Sequence, residues 1–172
     1  ELLSREKSLS LTDIARLLNI PKSSAFDILK PLLDRNYIET INGDKTYRLG
    51  YGMFALGNAY RSSLNLYAIC LPALITLSRE LDKTIFLGVL RNGKVLNLEK
   101  QDPTRTLFSE GAVGMLQPMH STSMGKAMLS ALSDKEILEI VGPGPYESRT
   151  KNTIIDYPTL IEEIRKTRQR GY

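Results

Sequence analysis

"LSLTDIARLLNIPKSSAFDILKPLLDRNYIETINGDKTYRLG", residues 9–50, has a start, stop or turn signal at nearly every place where a small helical domain needs one. Ser10 and Asp13 stand in S-x-x-D spacing. That spacing caps a helix, because a serine oxygen accepts from first-turn N–H groups that have no carbonyl to bond. Ile14, Leu17 and Leu18 then recur at helical spacing. Asn19-Ile20 breaks the pattern, and Pro21 restarts one where its missing N–H costs nothing. In the second helix Ala25, Ile28, Leu29 and Leu32 fall at i, i+3, i+4 and i+7, which predicts one buried face. Ser23, Asp27 and Lys30 point the other way, with Ser24 and Phe26 beside them. Two short β-rich runs follow around Asn42-Gly43, a hairpin signal because both residues accept positive φ.

Two short helices on a tight turn, followed by a hairpin, predict a helix-turn-helix with a wing. The major groove of DNA admits one helix, whose N-terminal side chains meet base edges. Lys22, Ser23 and Ser24 occupy that first turn, whose N–H groups also form a natural phosphate seat. Lys45 and Arg48 on the wing are candidates for phosphate contacts, which position a protein without reading sequence. The competing reading is a plain helical bundle, which also contains such helix pairs.

The whole composition is compatible with this and does not demand it. The chain has 172 residues, 42% hydrophobic and 24% charged, room for one ordinary domain or two small ones. Its net charge of +4 is weak evidence for a polyanion partner, and no basic run resembles a nucleic-acid tail. The lone cysteine, Cys70, sits in an apolar helical pattern and is expected to be a buried thiol. One Cys and one His, His120, exclude a disulfide framework and a Cys/His zinc site, and no cofactor is expected. No apolar run approaches the roughly 20 residues of a membrane span, so no membrane partner is expected and a cytoplasmic location fits.

Beyond residue 50 the pattern changes. Residues 51–65 carry apolar side chains at helical spacing and read as a linker helix. A second long helix over 66–82 has Leu66, Ile69, Leu74, Leu77 and Leu81 on one face, with Pro72 inside it. "TIFLGVL", residues 84–90, reads as a strand covered on both faces, and Asn92-Gly93 turns it into "KVLNLEK". Residues 105–119 are expected to be strand and loop, with helices near 122–132, 134–141 and 156–170 and a stop at Gly171. The fold class is therefore α+β, and both ends read as interrupted.

"SMGK", residues 123–126, has the S-x-x-K spacing of a serine nucleophile and its lysine base. Serine β-lactam-binding enzymes with this pair also use S-D-N and K-T-G elements, which this sequence lacks, and a Ser–His–Asp triad needs a histidine oriented by a carboxylate, while no G-x-S-x-G elbow accompanies His120. The same residues suit a helix N-terminus that holds a small anion. Ser121, Thr122 and Ser123 either cap the helix or touch such a ligand. His120 is expected to bond backbone through its ring, and Gly125 to permit close packing.

Three segments carry a family resemblance. Residues 9–50 resemble the winged helix of the IclR family of bacterial transcription regulators, down to the Pro-Lys-Ser opening and the Tyr-Arg-Leu-Gly ending. "PMHSTSMGKAMLSALS", residues 118–133, resembles that family's pocket-helix signature, and residues 150–172 resemble its T-x-x-T…R-x-x-G-Y segment. The resemblance implies a dimeric or tetrameric repressor with a winged helix over 1–50, a linker helix over 51–65 and a GAF-like, antiparallel-sheet effector domain over 66–172. That last domain is expected to be incomplete at its C-terminus. Its partners would be a double-stranded DNA operator and a small effector that bears a carboxylate. It places Lys22, Ser23, Ser24, Asp27, Lys30, Lys45 and Arg48 toward DNA and Gln117, Ser121, Thr122, Ser123 and Met124 around the effector.

The departures from the family pattern matter. Asp27 stands where a basic or polar DNA-facing residue is usual, although a carboxylate can accept from a cytosine amine. Pro31 falls inside the recognition helix, and Asn36 replaces a usual glycine. Ser123 and Met124 replace small residues. A sensor or interaction module with weakened DNA binding is therefore the second reading, and an acyl enzyme using Ser123 and Lys126 the third.

Overall fold

The computed structural model describes residues 1–40, 45–103 and 111–172. The chain divides into two compact units, Glu1–Leu64 and Asn65–Tyr172. The expected turn at Asn42-Gly43 and part of the loop expected over 105–119 lie outside the described residues.

The first unit begins with α1 (Leu2–Arg5), β1 (Leu9–Ser10) and α2 (Leu11–Leu18). Ser10 caps α2 as its spacing predicts: the hydroxyl oxygen accepts from the Asp13 N–H at 3.1 Å and the hydroxyl donates to the Asp13 carboxylate at 2.7 Å. That bond, with Arg16 behind it, holds the Asp13 carboxyl below its ordinary range. α2 stops at Asn19, whose φ of 54° is left-handed. α3 (Lys22–Asp34) follows, then β2 (Ile38–Thr40) and β3 (Thr46–Leu49). The strands pair antiparallel in the order β1-β3-β2, so the wing carries a third, two-residue strand that the sequence did not announce. Ile14 and Ala15 of α2, Ala25 and Leu29 of α3, Ile38 of β2 and Tyr47 of β3 form one small core.

One expectation for α3 changes. Ile28 is 51% exposed and does not share the buried face. At 100° per residue it lies about 60° from Ala25, at the rim of an arc centred between Ala25, Leu29 and Leu32. Pro31 lies inside the helix as expected, and the helix runs on to Asp34 without an N–H for the Asp27 carbonyl. Asn36 adopts φ 57°, the conformation for which a glycine is usual.

α4 (Tyr51–Ser62) is seated on this unit by two glycines. Gly50 donates to the Tyr37 carbonyl and Gly52 to the Asn36 carbonyl, both at 2.9 Å. A Cβ at Gly50 would lie 2.3 Å from the Asn36 oxygen, so the motif's terminal glycine is there for backbone approach. Beyond that seat α4 exposes apolar side chains: Phe54 is 75% exposed, and Tyr51, Met53 and Leu56 are exposed beside it.

The second unit opens with α5 (Asn65–Leu81). Its buried residues are Leu74 and Ser78; Leu66, Leu77 and Leu81 are exposed and Ile69 is 75% exposed. The helix turns only its Leu74–Ser78 edge to the sheet, and the adjoining leucine stripe has no cover among the described residues. Cys70 is half-buried rather than buried. β4 (Ile85–Arg91) and β5 (Lys94–Gln101) form a hairpin on Asn92 (φ 49°) and Gly93 (φ 70°), the two positive-φ positions of a type I′ turn. β6 (Leu116–Pro118) adds to β5, giving the antiparallel order β4-β5-β6. β4 lies at the edge of this sheet and is half-buried rather than covered on both faces.

α6 (Ser123–Ser130), α7 (Asp134–Val141) and α8 (Tyr157–Arg170) complete the unit. Val95, Met119, Leu129, Ile137, Leu160, Ile161 and Ile164 make its core. α7 starts with a reciprocal capping box between Ser133 and Glu136, and α8 starts on Asp156 and stops at a left-handed Gly171. Arg168 of α8 reaches the end of α6: it donates to the carbonyls of Ser130 and Leu132 and pairs with Asp134, which Arg165 also holds. Among the described residues, no single helix is long and apolar enough to cross a membrane.

Candidate functional site

The first unit offers an exposed helix start. Pro21 stands at the N-cap of α3 and has no side-chain oxygen to give. The N–H groups of the first turn are left to outside partners, with the positive end of the helix dipole behind them. Lys22, Ser23, Ser24, Asp27 and Lys30 are all exposed on this helix, and Lys45 is exposed at the wing. Arg48 is differently placed. Its Nε donates to Glu39 Oε1 at 2.6 Å across the β2–β3 pair, so a phosphate would have to compete with that carboxylate. Glu39 was not among the sequence candidates, although an antiparallel register puts it opposite Arg48.

The second unit holds a cavity of about 320 Å³ lined by Phe86, Asn97, Gly111, Gln117, Thr122, Ser123 and Met124. Four of the five effector candidates thus meet in one place. Thr122 is the N-cap of α6. Its hydroxyl oxygen accepts from the Gly125 N–H at 3.1 Å while the hydroxyl donates to the Pro118 carbonyl at 3.1 Å, and its own carbonyl accepts from Lys126. The hydroxyl's proton is therefore committed to the fold. The N–H groups of Ser123 and Met124, which precede Gly125 in the first turn, have no backbone or side-chain acceptor among the described residues.

Ser121 does not line the cavity as expected; its hydroxyl is buried without a hydrogen-bond partner among the described residues. Met124 packs against the core, with its sulfur 3.0 Å from where a Cβ of Gly88 would sit. The bulky residue is accommodated because the opposite strand carries a glycine. Gln117 is half-buried, with its amide 3.7 Å from the Met115 sulfur.

The acyl-enzyme arrangement is not assembled. Lys126 Nζ turns toward Glu163 Oε1 of α8, at 3.9 Å. His120 is 8% exposed, and its Nε2 lies 3.1 Å from the Glu147 carbonyl oxygen. A carbonyl only accepts, so Nε2 carries the proton there. The ring stacks on Tyr146 at 4.9 Å, which makes it a structural histidine. Burial, with Tyr157 and Asp156 nearby, raises the Tyr146 phenol above its usual range, and that hydroxyl donates to the Gly142 carbonyl.

Sequence reasoning missed Phe86, Asn97 and Gly111. Asn97 had a legible signal: in "KVLNLEK" it follows Val95 by two, so a buried Val95 puts an amide on the inward face. Phe86 and Gly111 had none, since their approach depends on how the segment after residue 110 returns to the sheet.

Comparison with known proteins adds the following. Residues 58–172 match the family described as "Bacterial transcriptional regulator IclR C-terminal", and residues 1–41 match "IclR helix-turn-helix domain". Among curated proteins of Escherichia coli K12, the chain is 27% identical to the HTH-type transcriptional regulator XynR over 164 residues, covering 95% of this chain and 65% of that one. It is 25% identical to the transcriptional repressor IclR over 167 residues, covering 96% and 61%. The chain thus spans less than two thirds of the length of these relatives. Among solved structures, an IclR transcriptional regulator from Alicyclobacillus acidocaldarius superposes with a TM-score of 0.83 at 22% identity, covering 99% of this chain and 69% of that one. An IclR homolog from Microbacterium hydrocarbonoxydans complexed with 4-hydroxybenzoate gives 0.78 at 22% identity, covering 95% and 68%.

Proposed function

The chain belongs to the IclR family of bacterial transcriptional regulators, and we propose from that premise that it is a DNA-binding repressor whose second unit senses a small carboxylate. The observation that carries the sensing role is the cavity at the start of α6, where free N–H groups of Ser123 and Met124 meet Gln117 and Thr122. Two adjacent unpaired donors on a positive helix end are suited to the two oxygens of a carboxylate. About 320 Å³ lies at the small end of ligand pockets, the size for a metabolite rather than a polymer. The relative from Microbacterium hydrocarbonoxydans, complexed with 4-hydroxybenzoate, supplies a first probe.

In this reading α3 reads DNA through Lys22, Ser23 and Ser24, with Asp27 and Lys30 farther along the same exposed surface and Lys45 at the backbone. Arg48 serves the wing through Glu39. The exposed aromatic face of α4 pairs with a second copy of the chain. The protein works in the cytoplasm, where its operator is.

The test is a mobility shift on DNA upstream of the protein's own gene, across a salt series and with small carboxylates added. A specific complex should weaken steeply with salt, because each neutralised phosphate releases counterions. An effector coupling of about 1–3 kcal/mol would change operator affinity about 5- to 150-fold. Absence of any sequence-specific shift would count against DNA recognition and favour a sensor that has lost it.

A further inference from the structure

One side chain in the cavity wall is left unfinished by the fold. Asn97 is 1% exposed and lines the cavity. It pairs in register with Gly88, which has no side chain to meet it, and lies beside Gly111, where a Cβ would come within 3.7 Å of Nδ2. Its Nδ2 donates to the Ala112 carbonyl at 3.4 Å. A carbonyl accepts and cannot donate, so that contact identifies the NH₂ end of the amide. The other end, Oδ1, is buried and has no hydrogen-bond partner among the described residues. Buried side-chain oxygens are ordinarily paired, and one left unpaired on a residue that lines a cavity is an acceptor that a donor from outside the fold can complete.

Resting on the reading of this cavity as a carboxylate site, we propose that Asn97 sets its specificity by accepting a hydrogen bond from a hydroxyl or N–H group of the ligand. The site then has two polar poles, the Ser123 and Met124 N–H groups for an anion and Asn97 Oδ1 for a donor, with Phe86 as its apolar wall. Its volume equals that of about ten water molecules at roughly 30 Å³ each, which suits a ligand of some ten non-hydrogen atoms. The ligand class is a small carboxylate that also carries a hydroxyl or amino group. A carboxylate without the donor leaves Oδ1 buried and unpaired, and a site built to bond a donor rejects the analogue that lacks it.

The experiment is isothermal titration calorimetry on the full chain with matched pairs: lactate against propionate, 3-hydroxybenzoate against benzoate, and 4-aminobenzoate against benzoate. Wild type, Asn97→Leu and Asn97→Ser are compared. Wild type should prefer the donor-bearing member of at least one pair by about tenfold to a hundredfold. Asn97→Leu, which replaces the amide by an apolar group of similar volume, should bind both members of that pair like the unsubstituted acid. Asn97→Ser, which keeps an acceptor, should retain part of the preference, and it decides the matter if the leucine variant does not fold. Equal binding within every pair by wild type, or a preference that survives in Asn97→Leu, would overturn the assignment of Asn97 while leaving the carboxylate site standing. No binding of any acid would overturn that site, and this assignment with it.

Discussion

Gly125→Ala and Gly57→Ala are the same chemical change in two helices, and the structure predicts opposite signs. Helix propensity alone favours alanine in both, by up to about 1 kcal/mol, because glycine loses more backbone freedom on folding. At Gly57 of α4 a new Cβ would meet nothing within 4 Å, so this gain should stand, at about 0.5–1 kcal/mol. At Gly125 the new Cβ would lie 2.2 Å from the Met119 carbonyl oxygen and 2.6 and 2.7 Å from two further Met119 backbone atoms. The first contact is about 0.8 Å inside the 3.0 Å that real Cβ atoms keep. The obstacle is backbone, and Met119 is itself 1% exposed in the core, so no side chain can swing aside. α6 must move away from Met119 by most of an ångström, at an overpacking cost of about 1–3 kcal/mol that cancels the propensity gain and exceeds it. Urea unfolding of each variant, followed by far-ultraviolet circular dichroism because the chain has no tryptophan, measures both. Gly125→Ala should be destabilised by about 1–2 kcal/mol and should also lose affinity for any cavity ligand, since its own helix carries the Ser123 and Met124 donors. A Gly125→Ala protein as stable as wild type would refute the close approach on which the cavity's shape depends.

Three more variants address other parts of the second unit. Thr122→Val keeps the side-chain shape and removes the α6 cap, and should lower stability in urea by about 1–2 kcal/mol; no measurable loss would mean that the cap is not formed. Ser121→Ala removes a buried hydroxyl with no partner among the described residues and should be neutral or stabilising by up to about 1 kcal/mol, whereas a clear destabilisation would reveal a bond to that hydroxyl. Asp134 is held below its ordinary carboxyl value of 3.8, first by the Arg168 hydrogen bond and then by Arg165. Its contribution is therefore complete above that value and is lost as pH falls through the lowered one. Thermal unfolding of Asp134→Asn between pH 2 and 7 should fall less steeply than wild type at the acid end, and parallel curves would contradict the pairing.

Local signals were legible where a single residue type meets a single backbone demand. Ser10, Asn19, Asn36, Asn92 and Gly171 stand where a cap or a positive φ is needed, and each is found there. Faces were less legible. The periodicity of α5 gathers Leu66, Leu77 and Leu81 on one stripe, yet its buried residues are Leu74 and Ser78. Periodicity shows that a stripe exists and cannot show which neighbour covers it. Arg48 illustrates a further limit, because its partner Glu39 comes from strand register, a property of two segments at once. The cavity combines both cases. Its α6 side follows from one contiguous motif, so Thr122, Ser123 and Met124 could be named, and Gln117 just before them. Its far wall is built from β4, β5 and the segment at Gly111, which no local pattern connects.

The construction of α6 bears on how a ligand could act. Thr122 and Pro118 fix its first turn, Gly125 lies on Met119, and Arg168 holds the carbonyls at its far end. The N–H groups proposed to hold a carboxylate would therefore be set in place before anything binds, which favours affinity because little ordering would remain to be done. A rigid anchor holds a ligand equally in every state of the protein, and a ligand bound equally in two states shifts neither. The difference that would make this chain a switch must then come from the rest of the lining. Phe86 lies on the edge strand β4, and Gly111 lies against its ring from outside the hairpin. Neither is pinned by a cap or an ion pair among the described residues. On the proposed reading, affinity would fall to α6 and regulation to the surface that faces it across the cavity.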